Sequence, residues 1–137
     1  MPYIRIFSQD FPTNKKREMV REITNAIMRA ENLAESQRGF CTVHFMPYRG
    51  EDFAIGGTLL SDSKHKDYFI EVHERNLNEQ KKKAIVKELT STLARLFELK
   101  PDQLFDLNIM IYEYNPQNFA IGGRFMSELE RSTQGSQ

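Results

Sequence analysis

Several features that would assign a chain to a broad class at once are scarce or absent in this sequence. Its one cysteine, Cys41, leaves no disulfide to form within the chain and favours a reducing compartment. The 19 basic and 19 acidic residues balance, so no strong field draws the protein to nucleic acid or anionic lipid. No apolar run is as long as a membrane span, and the first residues lack a basic-then-apolar leader pattern. We therefore expect a cytoplasmic protein with neither nucleic acid nor membrane among its partners.

Signals for a bound metal or cofactor are missing as well. The histidines, the cysteine and the carboxylates are not spaced as a metal site requires, and His65 stands alone in a polar segment. The pairs Gly56, Gly57 and Gly122, Gly123 lack the rest of a phosphate-binding loop, so we interpret them as hairpin turns. The sequence thus predicts no metal and no cofactor.

What the sequence does contain is an internal repeat. Residues 53–57 read Phe-Ala-Ile-Gly-Gly, and residues 119–123 read the same. At this offset of 66 positions, as from Phe53 to Phe119, the two halves align without a gap. The matching pairs include Ile4/Ile70, Lys15/Lys81, Val20/Val86, Glu22/Glu88, Arg29/Arg95, Leu33/Leu99, Gln37/Gln103 and Tyr48/Tyr114. A fixed period without insertions indicates one supersecondary unit used twice, because a short β-α-β unit cannot bury its apolar face alone.

Each copy carries the pattern of a strand, a helix and a second strand. The first copy predicts strands over residues 2–7 and 40–46, and a helix from about 14 to 31 with the apolar stripe Val20, Ile23, Ile27 and Ala30. The second copy predicts strands over residues 68–73 and 104–112, and a helix with the stripe Val86, Leu89, Leu93 and Leu96. A helix between two strands makes those strands parallel neighbours and covers one face of their sheet.

The pattern therefore predicts an α+β fold, in which tandem β-α-β repeats form a four-stranded sheet with two helices on one face. We expect one domain over residues 1–126, made of copies 2–57 and 68–123 with a polar linker over 58–67. The polar residues 127–137 should form a C-terminal tail that is partly disordered. Because the second sheet face has no cover within the chain, the fold implies an oligomer.

Pro2 is the sharpest candidate for chemistry, since an initiator methionine before proline is normally removed. The nitrogen of an N-terminal proline is a secondary amine that exchanges protons or attacks a carbonyl group. A free α-amino group has a pKa of about 7.7–8.0, and an apolar pocket lowers it toward neutrality. Such a base suits proton abstraction next to a carbonyl. The alternative is that Pro2 only begins a strand.

These residues resemble the tautomerase superfamily over essentially residues 2–126. Residues 2–6 (Pro-Tyr-Ile-Arg-Ile) and 118–123 (Asn-Phe-Ala-Ile-Gly-Gly) are similar to the start and end of 4-oxalocrotonate tautomerase, and residues 79–81 (Glu-Gln-Lys) to its helix. Residues 8–10 and 23–26 resemble the duplicated cis-3-chloroacrylic acid dehalogenase branch. The resemblance implies the tautomerase fold, a catalytic N-terminal Pro2, and Phe119 as an apolar wall beside it.

The sequence also departs from the family's pattern. In the short enzymes an arginine before the second-copy helix binds the substrate carboxylate, but that position holds Asn76, with Arg75 as its neighbour. A second family arginine falls on Thr42 in one copy and on Asn108 in the other. The histidine, tyrosine and glutamate of the dehalogenase branch map to Ile27, Met110 and Ile121. These three apolar residues argue against an enzyme that activates water with a carboxylate.

The resemblance implies a homotrimer of two-repeat chains that acts on a small α-keto or enol carboxylate by a proline-dependent 1,3-proton shift. Tyr68 occupies the position in the second copy that is equivalent to Pro2, so each chain holds at most one proline site. The candidate substrate-binding residues are Arg75, Asn76, Phe119, Arg5, Arg38 and Arg124. Two alternatives stay open. One is a proline-dependent hydratase, decarboxylase or dehalogenase-like enzyme on short unsaturated acids, and the other is a non-enzymatic trimeric interaction protein.

Overall fold

The computed structural model describes residues 1–135 of the chain. The strands are β1 (Tyr3–Ser8), β2 (Thr42–Pro47), β3 (Ala54–Ile55), β4 (Thr58–Leu59), β5 (Tyr68–Glu74), β6 (Leu107–Glu113), β7 (Ala120–Ile121) and β8 (Arg124–Phe125). The helices are α1 (Thr13–Ala30), α2 (Glu79–Leu96) and α3 (Met126–Gly135). No helix within these residues is long and apolar enough to cross a membrane.

The main sheet has four strands in the order β2-β1-β5-β6. Strand β1 is parallel to β2, and β5 is parallel to β6, because a helix connects the strands of each pair. The two copies meet where β1 and β5 run antiparallel, with Ile4 opposite Val72 and Ile6 opposite Ile70. Both main helices pack on the face that carries these side chains. The predicted α+β fold of tandem β-α-β repeats is confirmed.

The internal repeat reappears as pairs of equivalent contacts. Between the helices, Arg29 Nε lies 3.2 Å from Glu88 and Arg95 Nη2 lies 3.1 Å from Glu22. These two ion pairs are the same interaction at an offset of 66 positions, as from Arg29 to Arg95. Surface pairs of this kind contribute little stability by themselves. Their recurrence shows that the two copies are related by an approximate twofold axis.

The core differs from the predicted helical stripes by one residue in each copy. Met19 and Ile85 are fully buried, whereas the predicted Val20 is half-buried and Val86 is 40% exposed. The cause is the helical period, because the residue one turn before Ile23 or Leu89 is Met19 or Ile85. Both copies make the same shift, so the repeat itself was aligned correctly.

The second strand of each copy begins later than predicted. Short 3₁₀ helices, Glu35–Phe40 and Pro101–Asp106, precede β2 and β6. In each, a glutamine side chain accepts a backbone N–H at 2.8 Å, Gln37 from Ala34 and Gln103 from Lys100. These bonds satisfy the first donor of the turn, which favours the 3₁₀ helix over an extension of the strand.

Each Gly-Gly pair turns a short hairpin, as predicted. Strand β3 pairs with β4 and β7 with β8. The φ angles of Gly122 and Gly123 are 58° and 85°, and the left-handed conformation at both central positions is what this two-residue turn requires. Helix α3 follows the second hairpin and covers most of the segment assigned to a tail, while residues 136–137 lie outside the described residues.

Candidate active site

A cavity of about 640 Å³ lies beside the start of β1. Its lining comes from the N-terminus, the segment after α1, the end of β5 and the loop that follows it, the first turn of α2, strand β7 and helix α3. The lining includes Pro2, Glu31, Glu74, Arg75, Lys81 and Glu130. Side chains far apart in sequence therefore converge on one concave site, which is the usual form of a small-molecule site.

Pro2 lies buried between two parts of the fold that hold the N-terminus in place. Its carbonyl accepts the N–H of Thr42 at 3.0 Å, which extends the pairing of β1 with β2. The amine of Met1 lies 3.1 Å from Glu74 Oε1, and the carbonyl of Met1 accepts the hydroxyl of Tyr114 at 2.9 Å. These two contacts hold Met1, the residue before Pro2, against a buried carboxylate and a tyrosine hydroxyl.

Two glutamates meet at this point. Glu74 ends β5 on the face whose alternate residues are buried, and its side chain is only 2% exposed. Glu31 is the residue directly after α1, and the chain turns away from the helix axis at Asn32, where φ is 52°. The carboxyl groups of Glu31 and Glu74 lie within hydrogen-bonding distance of each other. The backbone N–H of Arg75 donates to Glu74 Oε1 at 2.9 Å and helps to fix that carboxylate.

The electrostatics of the pair favour a retained proton. Burial raises the pKa of Glu31 to about 8, and the hydrogen bond and negative charge of Glu74 act in the same direction. The terminal amine and Lys81 act against this rise in the pKa of Glu31. Two carboxyl groups in contact cannot both ionise without strong repulsion, so the neutral form of one is favoured near neutral pH.

Arg75 lies in the cavity but is occupied by the protein's own carboxylates. Its guanidinium forms an ion pair with Glu130 of α3, and a nitrogen of the same group lies 3.8 Å from Glu74 Oε1. The side chain is 26% exposed, so it remains accessible from the cavity. Lys81, in the first turn of α2, donates to the carbonyl of Asn76 at 3.2 Å and adds a second positive charge. Together Arg75 and Lys81 give the cavity the cations that an anionic substrate needs.

Two neighbouring groups are held in their protonated forms. Burial raises the pKa of Tyr114 to about 12, and the charge of Glu74 adds to the shift. Burial likewise raises the pKa of the Cys41 thiol to about 11, so it is a poor nucleophile. Within residues 1–135 no three His, Cys, Asp or Glu side chains converge as a metal ion would require. Proton transfer by amine and carboxyl groups is the chemistry that these side chains support.

No protein-family model and no curated protein matches this sequence. Solved structures do match over nearly the whole chain. A native fused 4-OT superposes with a TM-score of 0.82 at 19% identity, covering 94% of this chain and 99% of that one. A member of the cis-3-chloroacrylic acid dehalogenase family gives 0.73 at 17% identity, covering 98% and 96%. Malonate semialdehyde decarboxylase gives 0.71 at 16% identity, covering 95% and 98%.

The chain has the tautomerase fold in its fused, two-repeat form. The resemblance in the sequence is therefore confirmed at the level of the fold. At these identities the structural likeness does not distinguish a tautomerase from a dehalogenase or a decarboxylase. The chemistry has to be argued from the side chains.

The tautomerase fold brings some of the candidate residues together and separates others. Pro2, Arg75 and Asn76 all line the cavity. Phe119 does not line it but stacks on the Tyr114 ring, with centroids 5.3 Å apart, and so supports the N-terminus indirectly. The other three candidate arginines do not line the cavity: Arg5 lies 3.8 Å from Glu71, Arg38 is bonded to Glu35 and Asn25, and Arg124 is exposed in the second hairpin.

Sequence reasoning missed Glu31, Glu74, Lys81, Tyr114 and Glu130 as parts of the site. Ile27, Met110 and Ile121 cannot transfer protons, but the fold supplies carboxylates to the cavity from other positions, Glu31, Glu74 and Glu130. A signal for two of them was present in the repeat alignment. In the alignment of the two copies Glu31 corresponds to Phe97 and Glu74 corresponds to Ser8. The copies therefore differ at these positions, as they do at Pro2 and Tyr68. At the equivalent site Tyr68 and Phe97 stack with centroids 4.1 Å apart, which gives an aromatic contact where the Pro2 site has its acidic cavity.

Proposed function

We propose that the protein is a cofactor-free tautomerase in which Pro2, made N-terminal by removal of Met1, is the general acid/base. The substrate is a small α-keto or dienol carboxylate. The observation that carries the proposal is the burial of Pro2 in a cavity that also holds Arg75 and Lys81. A cavity that combines the Pro2 base with the Arg75 and Lys81 cations fits an anionic substrate whose reacting carbon lies next to a carbonyl.

In this mechanism the free amine of Pro2 removes a proton from the enol oxygen or the α-carbon. The double bond shifts, and Pro2 returns the proton to the far carbon. Arg75 binds the substrate carboxylate after Glu130 gives up its ion pair. Tyr114, whose hydroxyl lies 2.9 Å from the carbonyl of Met1, borders the space that removal of Met1 opens.

The proposed active form is a homotrimer. Neighbours with the same fold are described as fused 4-OT trimers, both asymmetric and symmetric. The sheet face opposite the helices supports the same assembly here, because Met110 is 46% and Tyr112 39% exposed on it. An apolar and aromatic sheet face of this kind needs a partner surface.

The test of the proposed function combines mass spectrometry with one substitution. We expect the intact mass to correspond to a chain that begins at Pro2. Pro2→Ala should lower the rate of enol–keto conversion of phenylenolpyruvate or 2-hydroxymuconate by at least about 100-fold, the usual contribution of a positioned base. Pro12→Ala is the matched control, since Pro12 precedes α1 and does not line the cavity. Wild-type rates in Pro2→Ala would remove proline from the mechanism.

A second candidate function is hydration or decarboxylation of a short unsaturated or β-keto acid. The observation that favours it is the presence of two carboxyl groups, Glu31 and Glu74, beside Pro2. Product analysis separates the candidates, because a tautomerase conserves the mass of its substrate, whereas a hydratase adds water and a decarboxylase releases carbon dioxide.

A further inference from the structure

We propose that Glu31 and Glu74 share one proton, that Glu31 is the acid that delivers it to the substrate's carbonyl oxygen, and that Glu74 restores the pair by accepting the proton that Pro2 has taken from the substrate. This inference rests on the proposed function of Pro2 and adds a second proton-transfer group to the same cavity. It concerns two side chains that lie 43 positions apart in the sequence, from Glu31 to Glu74.

The first observation is the geometry of the pair. Both carboxyl groups line the cavity and lie within hydrogen-bonding distance of each other. Glu31 Oε2 is buried and has no donor partner within the described residues. An ionised carboxylate only accepts hydrogen bonds, so two ionised groups in contact would leave this buried oxygen unsatisfied. A proton on Glu31 makes it a donor to Glu74 and removes the conflict.

The second observation is the comparison between the two copies of the repeat. The positions equivalent to Glu31 and Glu74 hold Phe97 and Ser8, and Ser8 is 3% exposed. The equivalent site around Tyr68 therefore forms with no acid at either position. A buried acid pair is costly to keep, and here it occurs only at the site that contains Pro2. This coincidence favours a chemical role over a structural one.

The third observation is the set of charges around the pair. In the full-length chain the Met1 amine lies 3.1 Å from Glu74 Oε1, and Arg75 lies 3.8 Å from the same oxygen. Lys81 faces Glu31, Glu130 holds Arg75, and the Tyr114 hydroxyl and Cys41 thiol nearby stay protonated. If both glutamates were ionised, their charges would oppose the entry of an anionic substrate. With one shared proton, Arg75 and Lys81 remain able to attract it.

The proposed step balances in protons and electrons. Pro2 takes a proton from the α-carbon, and the C–H electrons form the new C=C bond. The carbonyl π electrons move to oxygen, which takes the shared proton from Glu31 to give the enol. After removal of Met1 the Pro2 ammonium is the terminal amine, and it transfers its proton to Glu74, the carboxylate that pairs with the Met1 amine in the full-length chain, in place of a return to the far carbon; the pair is then restored. In the reverse direction each transfer runs backward.

The first measurement detects the shared proton without relying on activity. The full-length protein is labelled with ¹³C at the glutamate side-chain carboxyl and titrated by NMR. We expect one carboxyl to stay protonated at neutral pH and to titrate well above the other glutamates. This signal should vanish in Glu31→Gln, shift in Glu74→Gln, and persist in Pro2→Ala and in Glu128→Gln, an exposed α3 carboxylate that does not line the cavity. A wild-type spectrum in which every glutamate is ionised at neutral pH would overturn the proposal.

The second measurement tests the catalytic role. Glu31→Gln should lower kcat for tautomerisation about 100-fold with KM within about 3-fold, since the amide keeps the hydrogen bond but has no proton to transfer. The wild-type kcat should fall as pH rises through the titration of the pair, and this limb should be missing in Glu31→Gln. Wild-type kcat in Glu31→Gln while Pro2→Ala is inactive would reject the acid and leave the proposed function intact. Wild-type activity in Pro2→Ala would reject both.

Discussion

At the scale of single residues, the charges in the cavity are paired within the chain before any substrate enters. Arg75 is bound to Glu130, and Glu74 is held by the terminal amine and by the Arg75 backbone N–H. If Arg75 binds a substrate carboxylate, as proposed, that carboxylate must replace Glu130 as its partner. The binding free energy of that carboxylate is the difference between its hydrogen bond to Arg75 and the existing one between Arg75 and Glu130. The affinity therefore depends on both Arg75 and Glu130.

Arg75→Ala should raise KM with a modest fall in kcat, because carboxylate binding is shared by the ground state and the transition state. A charge-assisted hydrogen bond contributes about 1.5–3 kcal/mol, so kcat/KM should fall roughly 10- to 150-fold. Steady-state kinetics with a dienol carboxylate measure this. Asn76→Ala is the control and should change kcat/KM by less than about 5-fold, since a neutral hydrogen bond contributes only about 0.5–1.5 kcal/mol. A silent Arg75→Ala, with activity lost in Arg5→Ala, Arg38→Ala or Arg124→Ala, would place the carboxylate elsewhere.

The stability of the fold should depend on pH through Glu31. Burial raises its pKa to about 8 in the folded chain, above the ordinary value of 4.5, so the folded state binds the proton more tightly than the unfolded state. This stabilisation is fully present below pH 4.5 and is lost as pH rises to about 8. Glu31→Gln should flatten this part of the dependence, and Glu128→Gln should not. Denaturant unfolding at pH 5, 6.5 and 8 measures the difference, and identical slopes in wild type and Glu31→Gln would contradict the assignment.

At the scale of secondary-structure elements, α3 closes one side of the cavity. Met126, at its start, is 3% exposed, receives the Tyr114 hydroxyl at its sulfur at 3.6 Å, and donates its N–H to Phe119 at 2.7 Å. These contacts join α3 to the β6 end and the second hairpin. One turn further along, Glu130 reaches Arg75. The helix therefore places a competing carboxylate at the position where the substrate carboxylate is proposed to bind.

Glu130→Gln should lower KM about 3- to 10-fold, because Arg75 would lose a charged partner and gain at most a neutral one. The effect on kcat should be small, since Glu130 has no part in the proposed proton transfers. Initial-rate kinetics at constant ionic strength check this, with Glu128→Gln on the same helix as the matched control. An unchanged or higher KM in Glu130→Gln would show that the ion pair serves to position Arg75 and does not compete with substrate.

At the scale of the whole molecule, the sheet has one covered and one open face. The core on the helix side includes fully buried Ile4, Ile70, Ile23 and Leu89. On the other side, Tyr112 stacks on His73 with centroids 4.8 Å apart, and Tyr3 contacts the same histidine edge-on. These rings cover each other only in part, so the open face is the surface that assembly would bury.

Light scattering at micromolar concentration should give about three times the monomer mass. Met110→Lys places a charge on the open face and should shift the protein toward monomers, because burying an unpaired lysine is strongly unfavourable. Val86→Lys is the control, since Val86 is an exposed residue of α2 on the other side of the sheet. A monodisperse wild-type monomer would contradict the proposed assembly.

Sequence patterns alone predict the repeat, the α+β fold with its helices on one face, the Gly-Gly hairpins and the position of Pro2 at the start of β1. These features depend on local periodicity and on a constant offset, both of which can be read along the chain. The errors were local too: the helical stripes are shifted by one residue to Met19 and Ile85, and 3₁₀ helices delay β2 and β6.

The composition of the cavity depends on contacts between residues that are distant in the sequence. Glu31 directly follows α1, whereas Glu74 is the last residue of β5. Arg75, in the loop before α2, forms its ion pair with Glu130 of α3. No local pattern marks such pairs, because their proximity results from how strand ends and helix ends converge around the N-terminus. The differences between the copies at Glu31/Phe97 and Glu74/Ser8 were visible in the sequence. The chemical consequence of these differences could not be read from the sequence, because the pKa of a carboxyl group shifts only when the fold buries it and places a second carboxyl group beside it.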